Sequence, residues 1–573
     1  MSPALREVAR RRDAAAWAGP LHVASLVAAF AFLLWVNRLQ WFNLDEWNFL
    51  VDRHVFAGDG TSVWEPHNEH WSTTPVLVYR GLFSVFGART YLPYLLVNIA
   101  IHLLIVHLVW RIMRRIGIEP LLATCACAVL AVLGAGWENL IAAFQFQFFG
   151  PIAFGLLALL VAPERGGLVR RDALVVVLLV AGLTFSGTGV TMVVVVTLVA
   201  ILRRGAGVAV VTAAGPALAY LLWYVAYGKD ASTDNVPQLS FTETLEVLPG
   251  YVWHGLVSAV DSVTGLAGVG PVALVLLGLA VLRLARPAKP AWTVSLAMAV
   301  GAVTFLTLTG IRRAGLGNET AGAPRYVYVM AVLLVPLAVL AIDRWSTRSQ
   351  VRMVMMLGVT AVLLIVQTTK LNLNANEWAV IEQEQKHRIL AAAELASGGA
   401  RFVNQAPVPQ FIPNLTIDEI AALDRDGDLP GNVEVSETDL LTARAYLQLD
   451  LAERRNVRAR EPLPRLARID GADAAPTADP GCVRLDPTSS NPAAIVDFPA
   501  AGSVGVTSDL GGRLTATVRD QAGGHSRARP FTLREGDRRV LNVTAAGFAV
   551  RLGVPAGGAT ELCGLQPLPT PSA

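Results

Sequence analysis

Apolar runs long enough to cross a lipid bilayer recur from residue 21 to residue 368, and no other feature limits the fold of this chain as strongly. A hydrocarbon layer about 30 Å thick takes roughly 17–25 apolar helical residues. Such runs fall near 21–39, 91–110, 120–135, 147–162, 172–186, 188–202, 207–227, 268–284, 291–311, 325–343 and 351–368. Mean hydropathy is +0.48 and only 16% of the 573 residues are charged, which excludes a single water-soluble core. The sequence predicts a polytopic α-helical membrane protein of about eleven spans.

Charge then threads the chain. Arg10, Arg11 and Arg12 precede the first run, and no small-residue cleavage site follows it, so an uncleaved first span with a cytoplasmic N-terminus is expected. Arg111, Arg114 and Arg115, then Arg165, Arg170 and Arg171, then Arg203 and Arg204, Arg283, and Arg344 fall on alternate loops, the cytoplasmic ones under the positive-inside rule. This places a multi-pass protein in the inner (plasma) membrane, with segments 40–90, 136–146, 228–267 and 312–324 and the whole C-terminal region on the extracytoplasmic side. Three regions are expected: a transmembrane domain over 1–368, a mainly helical extracytoplasmic segment over 369–470, and a small β-sandwich over 471–573. "TTPVLVYRGLFSVFG" and residues 242–264 read as helices lying in the interface, with Arg80 snorkelling. "SETDLLTARAYLQLDLAERR" reads as a helix with Ser436 as its cap.

The ionisable groups are concentrated in one place. "FNLDEWNFLVDRHVFAGDGTSVWEPHNEHW", residues 42–71, carries Asp45, Glu46, Asp52, Asp59, Glu65, His67, Glu69 and His70 directly after the first span. Carboxylates at a membrane boundary lose hydration and are costly unless paired or employed. The plain reading of Asp45 and Glu46 is a solvated span end; the flanking Trp41, Phe42, Leu44, Trp47 and Phe49 favour a half-apolar site suited to a general base. "EPHNEHW" offers groups able to ligate a divalent metal, but its spacing matches no strict zinc signature; Glu69 and His70 are read as substrate contacts and the metal is left unassigned. Glu138, beside Trp137 and Asn139, is a further substrate-contact candidate. Arg312, Arg313 and Arg325 bracket an outer loop, where the positive-inside rule disfavours cations, and fit an anionic lipid phosphate, Arg325 foremost. Asn98 and His102, one helical turn apart inside a span, read as a packing pair.

The acidic pair after span one, the long first outer loop with an in-plane helix, and the second span "YLPYLLVNIAIHLLIVHLVWRIMRR" resemble the glycosyltransferase C superfamily, which includes protein O-mannosyltransferases and the lipid A aminoarabinose transferase. "GWENLIAAFQFQ" and "RYVYVMAVLLVPLAVL" are similar to segments at corresponding positions, and the resemblance covers roughly residues 20–345. It implies an integral membrane hexosyl- or pentosyltransferase, with a polyprenyl-phosphate sugar as donor, a glycan, lipid or protein as acceptor, and the catalytic acid at Asp45 or Glu46. Some members of the superfamily use a metal. "LTFSGTGVT" stands where many relatives carry a Lys-Glu pair. Phosphate leaves without protonation, so such a transfer needs one base and cations, and a single carboxylate acting as base gives inversion.

Two other classes compete. A transporter or flippase is expected to carry polar groups at mid-membrane and paired broken helices, whereas here the acids and arginines gather at the outer ends of the spans. A non-catalytic anchor displaying the C-terminal sandwich leaves the elaborate outer loops without a task. No P-loop, Rossmann or nucleic-acid signature is present, so no nucleic-acid partner is expected. Cys125 and Cys127 lie in an apolar run; Cys482 and Cys563 either bridge in an oxidising compartment or remain two buried thiols.

Overall fold

A computed structural model describes residues 3–53, 63–229, 231, 236–237, 239–285, 289–346, 350–453 and 462–566. Asp59 falls outside the described residues. In chain order the first elements are α1 (Pro3–Val36), α2 (Asp45–Asp52), β1 (Pro66–His67), β2 (His70–Trp71), α3 (Thr73–Phe86), α4 (Leu92–Arg115), α5 (Pro120–Ala131), α6 (Trp137–Ile141), α7 (Phe146–Val161), α8 (Arg170–Leu183) and α9 (Thr188–Arg204). There follow α10 (Ala206–Trp223), α11 (Phe241–Thr264), α12 (Val269–Leu284), α13 (Pro290–Arg313), α14 (Pro324–Ser346), α15 (Gln350–Ser397), α16 (Ile417–Arg425) and α17 (Glu437–Leu447). Contacts divide the chain into two compact units: one of Met1–Gln40, Arg53–Ser84 and Tyr91–Val380, the other of Trp41–Asp52, Val85–Thr90 and Ile381–Ala573.

The first unit is the apolar one. Among the described residues eight helices are long and apolar enough to cross a membrane, or nine if α11 and α12, bent by 106° at their junction, count as one broken span. These helices are compatible with a multi-pass membrane protein, with fewer candidate full-length spans among the described residues than the eleven apolar runs. The difference lies in length: α8 has 14 residues and α9 has 17, about 21 and 25 Å at 1.5 Å per residue. They pack on α7 and α10 within the bundle. Bidentate pairing of Arg204 with Asp172 joins the end of α9 to the start of α8, and Asp172 also accepts from the Val169 N–H. α12 buries only Gly270 and exposes Val272, Leu276 and Leu282, the side-chain set that lipid tolerates and water does not.

Several buried polar groups within this unit are tied to one another across helices. His102 places Nε2 at 3.1 Å from the Ala131 carbonyl and Nδ1 at 2.8 Å from the Tyr328 hydroxyl. A carbonyl only accepts, so Nε2 carries the proton and Nδ1 accepts from the phenol. Asn98 donates to the Asn139 carbonyl, and both residues serve packing as expected. Gln367 accepts from the Ala135 N–H at 2.7 Å and donates to the Val263 carbonyl at 2.7 Å, fastening α15 to the break after α5 and to the end of α11. Arg80 does not snorkel outward: it donates to the Arg53 carbonyl at 3.2 Å, while the Pro75, Val76, Tyr79 and Phe83 stripe of α3 is buried.

The second unit ends in β3 (Leu449–Glu453), β4 (Arg465–Asp470), β5 (Ala472–Pro476), β6 (Cys482–Pro487), β7 (Ala493–Phe498), β8 (Gly502–Ser508), β9 (Gly512–Arg519), β10 (Arg529–Leu533), β11 (Arg538–Val543), β12 (Phe548–Gly553) and β13 (Thr560–Cys563). Two antiparallel sheets, ordered β10-β9-β12-β7-β4 and β3-β11-β8-β13-β6-β5, share one core. Alternation explains the pleat: Leu514, Ala516 and Val518 point in from β9, and Val504 and Val506 from β8. Cys482 and Cys563, paired in register on β6 and β13, form a disulfide. The sheet region begins at Leu449, since β3 pairs with β11. Ser436 caps α17 through the Asp439 N–H, and Arg529 donates to the Ala445 and Tyr446 carbonyls at its other end. α15 continues without interruption through residue 368, because "NEWAVIEQEQKHRILAAAELA" holds no Pro or Gly to stop it.

Candidate functional site

The membrane unit contains a cavity of about 740 Å³, within the range of small-molecule sites. Its walls come from α7, α9, α10 and α13, and its polar end is made by Glu69, His70, Arg312 and Arg313. The rest is largely apolar, including Leu183, Val190, Leu221, Leu308 and Ile311. Leu221 and Ile311 are 56% and 53% exposed, so the wall between α10 and α13 faces the outside of the bundle, where acyl chains lie. α3 and α11, read from the sequence as helices lying in the interface, do not line it.

The polar end is held by a small hairpin. β1 and β2 pair Pro66 with Trp71 and His67 with His70, leaving Asn68 and Glu69 as a two-residue turn. Asn68 takes φ +50°, a left-handed conformation that Asn tolerates better than most residues. Trp71 anchors the hairpin: its ring stacks on Trp223 of α10 with centroids 5.4 Å apart and planes 4° from parallel, and its indole N–H donates to Thr73 Oγ1 at 2.8 Å. Trp223 in turn donates to the Trp64 carbonyl at 2.7 Å. The Thr74 N–H bonds to the Thr184 carbonyl at 3.1 Å, which fixes the start of α3 to the α8–α9 turn. Arg53 donates to the Glu65 carbonyl and lies 3.8 Å from its carboxylate.

Electrostatics at this end are coupled. Arg313 Nη2 donates to Glu69 Oε1 at 2.9 Å, while Glu69 Oε2 is buried with no hydrogen-bond partner among the described residues. Burial works to raise the Glu69 carboxyl, but His70 and Arg313 outweigh it and hold the group below the usual carboxylate range. Burial pushes the His70 imidazole down; Glu69 pulls the other way, and Arg313 and Arg312 add to the lowering. His67, packed edge-on against Phe144, is pushed down to about 3 by burial, then by the Arg53 and His70 charges. At neutral pH the mouth therefore carries an ionised Glu69, a neutral His70 and two guanidinium groups, one more positive charge than negative. Arg312 has no carboxylate partner among the described residues and is exposed. Both arginines end α13, where the helix dipole favours cations.

The other expected site residues fall elsewhere. Arg325 donates to Glu138 at 3.0 Å and lies over the Tyr326 ring at 5.0 Å. The two are each other's partners, and neither lines the cavity, although Tyr326 does. Asp45 and Glu46 belong to the second unit and open α2. They differ in kind: Asp45 is exposed, whereas Glu46 is 2% exposed and accepts the Asn43 N–H at 3.1 Å. Glu382 of the same unit accepts the Trp41 N–H at 2.8 Å, so two buried carboxylates hold the turn at residues 41–43. Among the described residues the one cluster with metal-ligand spacing is Cys482, Glu561 and Cys563, whose thiols are joined to each other. "EPHNEHW" gathers no comparable set there.

One contributor comes from the segment that stands in place of the Lys-Glu pair. The Ser186–Thr188 turn inside "LTFSGTGVT" reaches the polar end, and a Cβ on Gly187 would stand 3.2 Å from His70 Nδ1. Small residues at this turn leave the imidazole its place, and the lack of charge in the segment was the available signal. In comparison with known proteins, no family model, no curated protein and no solved structure matches this chain.

Proposed function

We propose that the protein is an integral membrane glycosyltransferase that moves a sugar from a polyprenyl-phosphate donor to an extracytoplasmic acceptor with inversion. The observation carrying this reading is the two-character cavity: two arginines at one end, and an apolar trough along α10 and α13 that is open to lipid. A ligand matching it has one anionic head and a long hydrocarbon tail. In the reaction a carboxylate takes the proton of the acceptor hydroxyl, the oxygen forms its bond to the anomeric carbon, and the anomeric carbon–oxygen bond breaks with its electron pair passing to phosphate. Polyprenyl phosphate leaves, and the protonated carboxyl returns its proton to water. We assign the base to the first outer loop, as the resemblance implies, with exposed Asp45 preferred over buried Glu46 on the ground of access. Placement of this loop and the sheet region outside the cytoplasm is supported by the Cys482–Cys563 disulfide.

The test feeds radiolabelled polyprenyl-phosphate sugars to membranes carrying the wild type or Asp45→Asn. Label passing from lipid to acceptor in the first and not in the second supports the reading; equal turnover in both refutes the assigned base. The broken α11–α12 pair is the one feature shared with transporters. A transporter would move label across proteoliposomes with the donor bond intact.

A further inference from the structure

Glu69 poses a problem for a phosphate site, since a carboxylate at the mouth repels the anion that the arginines attract. The ion pair offers a resolution. We infer that Glu69 is a resident counter-anion which holds Arg313 by one oxygen until a lipid-borne phosphate displaces it, the released carboxyl then taking up a proton. The inference rests on the proposed lipid-phosphate occupancy of the cavity and adds to it an exchange of partners.

Three observations carry it. Arg313 meets Glu69 through a single contact, Nη2 to Oε1 at 2.9 Å, leaving the guanidinium other donors for a phosphate in the same cavity. Among the described residues Glu69 Oε2 is buried without a partner, an arrangement that is costly for a carboxylate and is relieved when the released carboxyl takes up a proton. The backbone beneath is fixed by the Trp71–Trp223 stack, so the exchange requires side-chain rotation only. Phosphate is the stronger competitor because it can accept from Arg312 and Arg313 together, whereas Glu69 holds one of them.

The groups around Glu69 fix the sign of the pH dependence. Arg312 and Arg313 from α13, His70 from its own strand and the Tyr220 phenol from α10 surround it. Ligand charge at Arg313 removes the influence that keeps Glu69 ionised, so binding draws a proton toward it. Affinity for an anion therefore rises as pH falls toward the Glu69 pKa.

The probe is undecaprenyl methyl phosphate, a sugar-free phosphodiester with one charge throughout the range, titrated into purified full-length protein in nanodiscs. Glu69→Gln, which removes the competing charge and keeps the shape, is expected to bind about fivefold more tightly at neutral pH, as for the loss of one competing ion pair, and to lose most of the pH dependence. Arg313→Gln is expected to weaken binding with or without Glu69→Gln, and His70→Asn to leave the Glu69-dependent part in place. Calorimetry of the wild type in buffers of different ionisation enthalpy should show proton uptake on binding, a readout needing no variant. Equal or weaker binding by Glu69→Gln, or no proton uptake by the wild type, overturns the exchange. Tighter binding by Glu69→Gln with no sugar moved by the wild type leaves the exchange standing and removes the transferase reading.

Discussion

Two stretches between α1 and α3, residues 41–53 and 63–73, both carry acids and aromatics, yet the fold uses them in opposite ways. In the first, Glu46 is sealed among Trp41, Phe42 and Trp47 and spends its oxygen on the Asn43 N–H. In the second, Glu69 stands on a cavity wall against a guanidinium, with one oxygen uncommitted among the described residues. A buried carboxylate bound to backbone N–H groups stiffens a turn, whereas one paired with a mobile cation can change partners. Acid density in sequence says little about role; the partner decides it.

Substitutions can break this contrast. The largest effect is expected on transfer: Asp45→Asn should lower the rate by about 10²–10⁴, the usual contribution of a general base. Next, Trp71→Ala removes the ring stacked on Trp223 and should cost about 3–5 kcal/mol, read as earlier loss of structure in thermal unfolding and as loss of lipid-phosphate binding. Glu46→Gln sharpens the comparison from the other side. It should cost about 1–3 kcal/mol through a weakened buried hydrogen bond, visible in melting, while phosphodiester affinity stays as in the wild type. Smallest is Gly187→Ala, whose methyl would stand 3.2 Å from His70 Nδ1; it should shift the pH dependence of binding with little change in stability.

Acidification should also separate the two stretches. Glu69 titrates below its ordinary value in the folded protein, so the stability it adds is present above that value and is lost as pH falls through the folded pKa. His70 and His67, both lowered, act in the same direction, because the unfolded chain takes up their protons first. Protection of the amides in residues 63–73, measured as exchange relative to the intrinsic rate at each pH, should fall from about pH 6.5 downward, the ordinary histidine value; protection independent of pH would contradict the assigned electrostatics.

Much of the membrane unit was legible because apolar runs have a length that physics can read. Of the eleven runs, α8 and α9 fell short since run length alone does not show where a helix ends, and their ends are set by the Arg204–Asp172 pair, 32 residues apart. Alternation in "RLTATVRD" and "FAVRLGV" disclosed strands of the C-terminal region. The continuity of α15 through residue 368 was also present in its helix formers, but the change in polarity at Lys370 drew the domain boundary there instead.

The candidate site was less legible. Glu69, His70, Arg312 and Arg313 were each singled out by chemistry, but Glu69 and Arg313 are 244 residues apart and nothing local announces that they meet. The arginine with the strongest sequence case, Arg325, is taken by Glu138, which was itself expected at the substrate. Long-range pairing of charges is decided by helix packing and not by neighbourhood in sequence.

The central claim, that the trough between α10 and α13 holds a lipid tail while Arg312 and Arg313 hold its phosphate, is tested most directly by photolabelling. A polyprenyl phosphate bearing a diazirine on an isoprene unit near the phosphate, irradiated with the full-length protein in nanodiscs, should label peptides from α9, α10 and α13 and lose that labelling in Arg312→Gln/Arg313→Gln. Labelling confined to lipid-facing helices such as α12 and indifferent to those arginines would contradict the account.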